Sequence, residues 1–444
     1  MINTKKLKKL IGLNKEDFDS FVKDGQIILR PARLIPTLKT GDEGALTSII
    51  LSSIKLVKEF RDQVFKDLKL SRNGKVYYYT EVGFPELDEK SRIDGLVIII
   101  KSGVIKEAAF FEMKNKNNGI DKAQIEKYLK LSRDLGVNKL VTVSNEFVAN
   151  HTHSPIDVKT PKNILLYHFS WTYLITKAQL LLFKNELNIE DEDQVDIMKE
   201  VLAYMDSPVS GVSGFNKMKP EWKQLSDNIR AQVPLKVSDE YISNAVLSWH
   251  QEEKDMALLM SRKLGVLVKA SPKSNDSIKN DVRKVCKDNT MHGLLSVKNS
   301  VSDIKIKLEF ERRSVMMSIK VTPPMNKGTV ARISWINRQL ENCRKKDEEL
   351  FNTLENKIWV EADVKFAREN LKVKFTDLEP LLEDSKGKEI QAFNIVLIDG
   401  FGGNFSSTKK FIQLIETLVL NYYEGIVQYM SNWTPPAPKL NQAE

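Results

Sequence analysis

Apolar side chains recur at helical spacing through residues 43–70, where Leu46, Ile49, Ile50, Ile54, Val57, Phe60 and Val64 share one face. The pattern predicts one amphipathic helix, entered through Thr40-Gly41-Asp42-Glu43. The period then changes. Residues 75–84, 94–101 and 107–114 are rich in β-branched and aromatic side chains and predict three consecutive strands. Helical spacing returns over 120–135, followed by strands at 139–144 and 164–171 and a helix from 172 to about 187. This order describes a mixed α/β sheet flanked by helices.

Beyond an acidic run (190–193) and a turn-rich stretch (206–214), residues 220–266 read as mostly helical. Alternation then resumes. Ile304, Ile306, Leu308 and Phe310 form one set, and Val315, Met317, Ile319 and Val321 a second. With a turn between them, they predict an antiparallel hairpin with one wet face. A helix over 328–344, strands over 358–366 and 392–399, and a long helix over 407–430 complete a second, α+β domain. The expected organisation is a first domain over 1–205, a helical connector over 206–266, an accessory domain over 267–436 and a tail over 437–444.

Composition narrows the class. The 444 residues are 41% hydrophobic and 29% charged, with 20 Gly and 15 Pro, so packed cores are expected and low-complexity classes are excluded. The longest apolar run of the first sheet is Leu96-Val97-Ile98-Ile99-Ile100, too short to span a bilayer, and a chain without a membrane segment is expected. Cys286 and Cys343 are the only cysteines and lie far apart, which excludes a disulfide scaffold and a cysteine zinc site and suits a cytoplasmic protein. Net charge is +9, with 32 Lys/Arg against 28 Asp/Glu in residues 1–200 and 36 against 31 in the remainder. A dispersed excess is compatible with a polyanion partner without proving one.

The residues that carry chemistry are Asp94, Glu112 and Lys114. Positions i and i+2 of a strand share a face, so Glu112 and Lys114 project together, and Asp94 on the preceding strand converges on them if the hairpin around Gly103 is tight. Two carboxylates on one face suit a hard divalent cation, which activates water and neutralises phosphate charge. A neighbouring lysine orients that water or stabilises the developing negative charge.

Ile93-Asp94, then 17 residues, then Glu112-Met113-Lys114 resembles the PD-(D/E)XK nuclease superfamily, although Ile93 stands where many members have proline. The predicted helix, three-strand meander, helix and strand look like its restriction-endonuclease-like core. Gln124 and Tyr128, four apart on the next helix, are similar to the QhxxY motif of RecB-type members. Glu43 occupies the place of a first-helix glutamate that faces the metal in many members. Segments such as Arg33-Leu34-Ile35-Pro36, Val143-Ser144-Asn145-Glu146-Phe147, His168-Phe169-Ser170-Trp171 and Ser334-Trp335-Ile336-Asn337-Arg338-Gln339 also resemble a largely uncharacterised family of bacterial proteins carrying this domain. The resemblance implies a Mg2+-dependent deoxyribonuclease, with Mn2+ as a substitute. Glu43, Asp94 and Glu112 would bind metal, Lys114 would act on the water, and Gln124 and Tyr128 would support the site. It implies DNA as substrate, with RNA not excluded, a setting in phage defence, restriction or repair, and room for a homodimer or protein partners. The competing expectation is a non-catalytic nucleic-acid-binding or assembly module of a multi-protein defence complex.

Other residues carry weaker expectations. Glu81 either approaches the metal or pairs with a surface lysine. His151 and His153 lack a further zinc ligand at matching spacing and read as loop residues. His168 reads as structural. Asp399-Gly400-Phe401-Gly402-Gly403-Asn404 lacks the ending of a phosphate-binding loop and reads as a turn.

Overall fold

The computed structural model describes residues 6–35, 39, 41–116, 118–146, 148, 151–152, 154–183, 189–272 and 275–435. Thr40, Pro36, Phe147, His153 and the tail at 437–444 lie outside them. The chain divides into two compact units, residues 1–215 with 261–266, and residues 216–260 with 267–444.

The first unit contains α1 (Lys15–Lys23), β1 (Ile28–Pro31), α2 (Glu43–Leu56), α3 (Lys58–Asp67), β2 (Lys75–Phe84), β3 (Asp88–Lys101), β4 (Val104–Met113), α4 (Lys122–Leu135), β5 (Lys139–Ser144), β6 (Leu165–Ser170), α5 (Trp171–Leu182) and α6 (Glu192–Asp206). Its six strands lie in the order β1-β2-β3-β4-β5-β6. β1 to β4 pair antiparallel, while β5 runs parallel to β4 and β6 to β5. A parallel β4–β5 pair needs a crossover, and α4 supplies it.

Both faces of this sheet are covered. On β3, Val97 and Ile99 enter a core with α2, α3, α5 and α6, while Leu96, Ile98 and Ile100 enter a second core with α1 and α4. Two-sided burial explains why the strand is continuously apolar instead of alternating. The single helix expected over 43–70 is two helices. The break falls at Val57, which is extended (φ −105°, ψ 106°) and buried. Both helices present their apolar positions to the same core, so the period runs unbroken through the break.

The second unit contains α7 (Pro220–Arg230), α8 (Glu240–Leu264, its last turn counted with the first unit), β7 (Lys269–Ala270), α9 (Asn275–Asp288), β8 (Thr290–Ser296), β9 (Ile304–Glu309), β10 (Ser314–Val321), α10 (Thr329–Lys346), α11 (Glu348–Leu354), β11 (Ile358–Val364), β12 (Leu371–Lys374), α12 (Glu379–Asp384), β13 (Ile390–Gly400) and α13 (Lys410–Gly425). Seven antiparallel strands lie in the order β12-β11-β13-β10-β9-β8-β7. The expected β9–β10 hairpin is present, with Glu309 opposite Ser314. Residues 216–260 belong to this unit and not to a connector, because Trp222 packs its ring on Phe310, Phe405 and Phe411. A mostly helical reading locates such helices but not the sheet they cover. Among the described residues, no helix is long and apolar enough to cross a membrane.

Candidate active site

The site lies where β3 and β4 part. The two strands are in register at Gly95 and Phe111, so one further step sets Asp94 across from Glu112, and there the ladder stops. Glu112 instead pairs with Thr142 of β5. The Asp94 side chain spans the gap, its Oδ2 accepting from the Met113 N–H at 2.7 Å. On the other flank, Thr80 pairs with Gly95 and Val82 with Ile93, while Glu81 between them takes a left-handed φ of 54°. A non-glycine residue in that region is strained, and here the strain lies opposite Asp94.

Gly95 lets α2 approach this point. A Cβ there would meet Leu51 Cδ1 at 2.8 Å and Phe111 Cβ at 3.1 Å. Packed so closely, α2 delivers its first residue, Glu43, to the cluster. Glu43 Oε1 accepts from the Asn115 N–H (3.2 Å) and from Asn118 Nδ2 (2.7 Å), and Oε2 lies 3.7 Å from Lys114 Nζ. Lys114 Nζ is also 2.7 Å from Glu112 Oε1, an ion pair in a side chain only 16% exposed. Glu112 is buried, and its Oε2 has no hydrogen-bond partner among the described residues.

Electrostatics follow from this crowding. Burial first, and then the neighbouring Glu112, push the Asp94 carboxyl well above the usual carboxylate range, against the Met113 N–H and Lys114. Burial likewise raises Glu112, opposed chiefly by Lys114. Burial works to lower Lys114, but Glu112, Asp94 and Glu43 outweigh it and hold the group above its ordinary value. Lys114 is therefore an ammonium at neutral pH, a donor and not a base.

Gln124 and Tyr128 come to the same place. Gln124 Nε2 donates to the Tyr128 hydroxyl (2.9 Å), which donates to the Arg92 carbonyl (2.7 Å) and so pins β3 two residues before Asp94. Burial, then the Glu112 charge beside it, raise the Tyr128 pKa. Glu81 pairs with Arg92 at 3.6 Å. His168 is buried in β6 with Nε2 donating to the Glu146 carbonyl (2.8 Å). The segment expected as a turn at 399–404 is instead the end of β13 followed by a short 3-10 helix over Gly402–Ser406, and Asp399 pairs with Lys357 (2.8 Å).

Sequence reasoning missed the frame behind the cluster. Asn115 is buried, and its Nδ2 donates to the Gly41 carbonyl (3.0 Å) and the Ser210 carbonyl (2.6 Å). Gly41 has φ +75°, and a Cβ there would meet the Val209 carbonyl oxygen at 2.4 Å, so only glycine fits. Its N–H donates to the Tyr204 hydroxyl (3.0 Å). Trp171 Nε1 donates to the Lys114 carbonyl (2.9 Å), fixing the lysine backbone. An amide directly after Lys114 was the available signal for Asn115; its partners are too distant in sequence to be read.

The cluster thus assembles Asp94, Glu112 and Lys114, with Glu43 engaged by Lys114 and two amides. Among the described residues, no group of three or more His, Cys, Asp and Glu side chains gathers closely enough to hold a metal ion. The chain matches no protein-family model, no curated protein and no solved structure.

Proposed function

We propose that the first unit hydrolyses phosphodiester bonds, with DNA as substrate, in a reaction that depends on Mg2+ or Mn2+. The observation that carries the reading is a buried Glu112 and a half-buried Asp94 set opposite each other where the sheet opens, with the Lys114 ammonium on Glu112. A divalent cation fits this donor set: Glu112 Oε2 is orphaned in the interior, and both carboxyls carry a burial penalty that opposite charge would relieve. Asp94 and Glu112 would hold the ion; Mg2+ ordinarily takes one or two carboxylates and leaves other positions to water and phosphate. When bound, such an ion activates water and neutralises phosphate charge.

The chain's own residues do the rest. Lys114 donates to the attacking water and to the phosphate oxygen on which charge builds. Glu43, whose Oε1 accepts from Asn115 and Asn118 and whose Oε2 faces Lys114 at 3.7 Å, orients that ammonium instead of serving as a third metal ligand. Tyr128 and Gln124 hold the Asp94 strand in place. Phage defence, restriction or repair is the setting the resemblance to PD-(D/E)XK nucleases implies. The test is a cleavage panel of linear duplex, circular duplex, single-stranded DNA and RNA with Mg2+, Mn2+ or chelator. Cleavage of DNA only with metal is expected; no cleavage of any substrate would refute the reading.

A further inference from the structure

In the second unit, β11 and β12 form a hairpin at the edge of the seven-stranded sheet. Its turn and second strand, residues 365–374, carry Lys365, Arg368, Lys372 and Lys374 against a single acid, Glu369. Phe366 at the turn is 96% exposed and holds a left-handed φ of 61°. A bulky residue in that conformation is an outlier. Water is a poor environment for its ring, and the fold gives it no core to enter. Trp359 on β11 lies opposite Lys374, and the ammoniums of Lys372 and Lys374 each sit 5.8 Å from its ring centroid. Lys365 stands 5.4 Å from the Phe366 centroid. Lys372 lies opposite Glu361, and Glu361 and Glu309 act on it more strongly than Lys307 and Arg312, which also come within electrostatic reach. Among the described residues, Arg368, Lys372 and Lys374 form no ion pair.

Lysines on an edge strand discourage unwanted sheet pairing. That role explains Lys372 and Lys374 but not an exposed phenylalanine at the turn or a tryptophan whose ring faces both ammoniums. Aromatic faces beside cations, of which Lys365 pairs with Glu389 at 3.0 Å and Arg368, Lys372 and Lys374 form no ion pair among the described residues, match a polymer that offers both π-faces and phosphates. A duplex keeps its base faces stacked inside, whereas a single strand presents them. A membrane surface would call for a contiguous apolar tip, and the tip here has one apolar ring among charges.

We propose that the β11–β12 hairpin is a contact for single-stranded nucleic acid, with Phe366 and Trp359 stacking on bases and Arg368, Lys372 and Lys374 meeting phosphates. It deepens the nuclease reading by naming the strand state of the substrate, and rests on that reading only for the kind of polymer. The test uses the full chain in chelator and follows anisotropy of a labelled oligothymidylate, with a duplex and phosphatidylserine-containing vesicles as parallel probes. The wild type is expected to bind the oligothymidylate more tightly than the duplex. Phe366→Ala should weaken binding at least about fivefold, the lower end for one stacked base. The paired Lys372→Glu and Lys374→Glu changes should reduce the log–log salt slope by roughly 1.4, about 0.7 per lost phosphate contact. Because Phe366 is exposed, its loss does not threaten folding, and an unchanged melting curve checks this. Equal binding by Phe366→Ala and wild type, no oligothymidylate binding, or binding to vesicles alone would each overturn the proposal. Hairpin-dependent binding without metal-dependent cleavage would uphold the hairpin and sink the nuclease reading; cleavage with hairpin-independent binding would do the reverse.

Discussion

The ammonium of Lys114 lies 2.7 Å from one oxygen of Glu112 and 3.7 Å from one of Glu43, while the Glu112 charge adds to the burial that already raises the Asp94 carboxyl. Removing one carboxylate charge should therefore relieve the fold even as it disables the site. Asp94→Asn is expected to melt higher than wild type in chelator, and Mg2+ should raise the wild-type melting temperature but not the variant's. A gain of only 1 kcal/mol would appear as roughly 2–4 °C in a unit of this size. A lower melting temperature for Asp94→Asn in chelator would contradict the account of the carboxyl pair. Glu43 makes a second test. If it orients Lys114, Glu43→Gln keeps its calorimetric Mg2+ affinity and slows cleavage; a metal ligand would lose both. In the sequence, Asp94, Glu112 and Lys114 were legible because strand alternation sets i and i+2 together and register sets Asp94 across. Asn115 was not, because its roles depend on Gly41 and Ser210, remote positions brought in by packing.

At the scale of elements, the position of α2 decides whether Glu43 reaches the cluster. Gly95→Ala would force a Cβ against Leu51 and Phe111, at a cost of about 1–3 kcal/mol for overpacking. The expected result is a lower melting temperature together with slower cleavage, since the helix that carries Glu43 is pushed from the sheet. Unchanged melting would show that the contact relaxes freely. The β5–β6 pair carries a pH dependence. Burial lowers the His168 pKa to about 4 from an ordinary 6.5. Between those values the unfolded chain binds more protons, so this stability is complete above pH 6.5 and is lost as pH falls toward 4, about 3 kcal/mol in all. His168→Asn should flatten that acid limb of a melting-temperature profile, whatever its effect on the plateau; an unchanged slope would exclude His168 as its source. Strands β2 and β5 were readable to the residue from composition. The division of α2 from α3 was not, because both halves face one core, and α1 and β1 escaped because four- and nine-residue elements carry too few periodic positions.

For the whole molecule, hydrophobic pattern gave two folded units but misassigned residues 216–260, whose helices belong to the second unit's own core. The net charge of +9 is spread over both units, so DNA binding should survive loss of any single catalytic group and weaken steadily with salt. Binding and cleavage are therefore separable, and the separation isolates the central claim. The direct measurement is the rate of Mg2+-dependent cleavage of labelled DNA by wild type and by Lys114→Ala, at matched DNA occupancy and with a chelator control. The account predicts cleavage by the wild type only with metal, and a rate about 10²–10³ lower for Lys114→Ala, the scale of losing one donor to transition-state charge. A Lys114→Ala protein that cuts at the wild-type rate, or a wild type that cuts equally well in chelator, would contradict it.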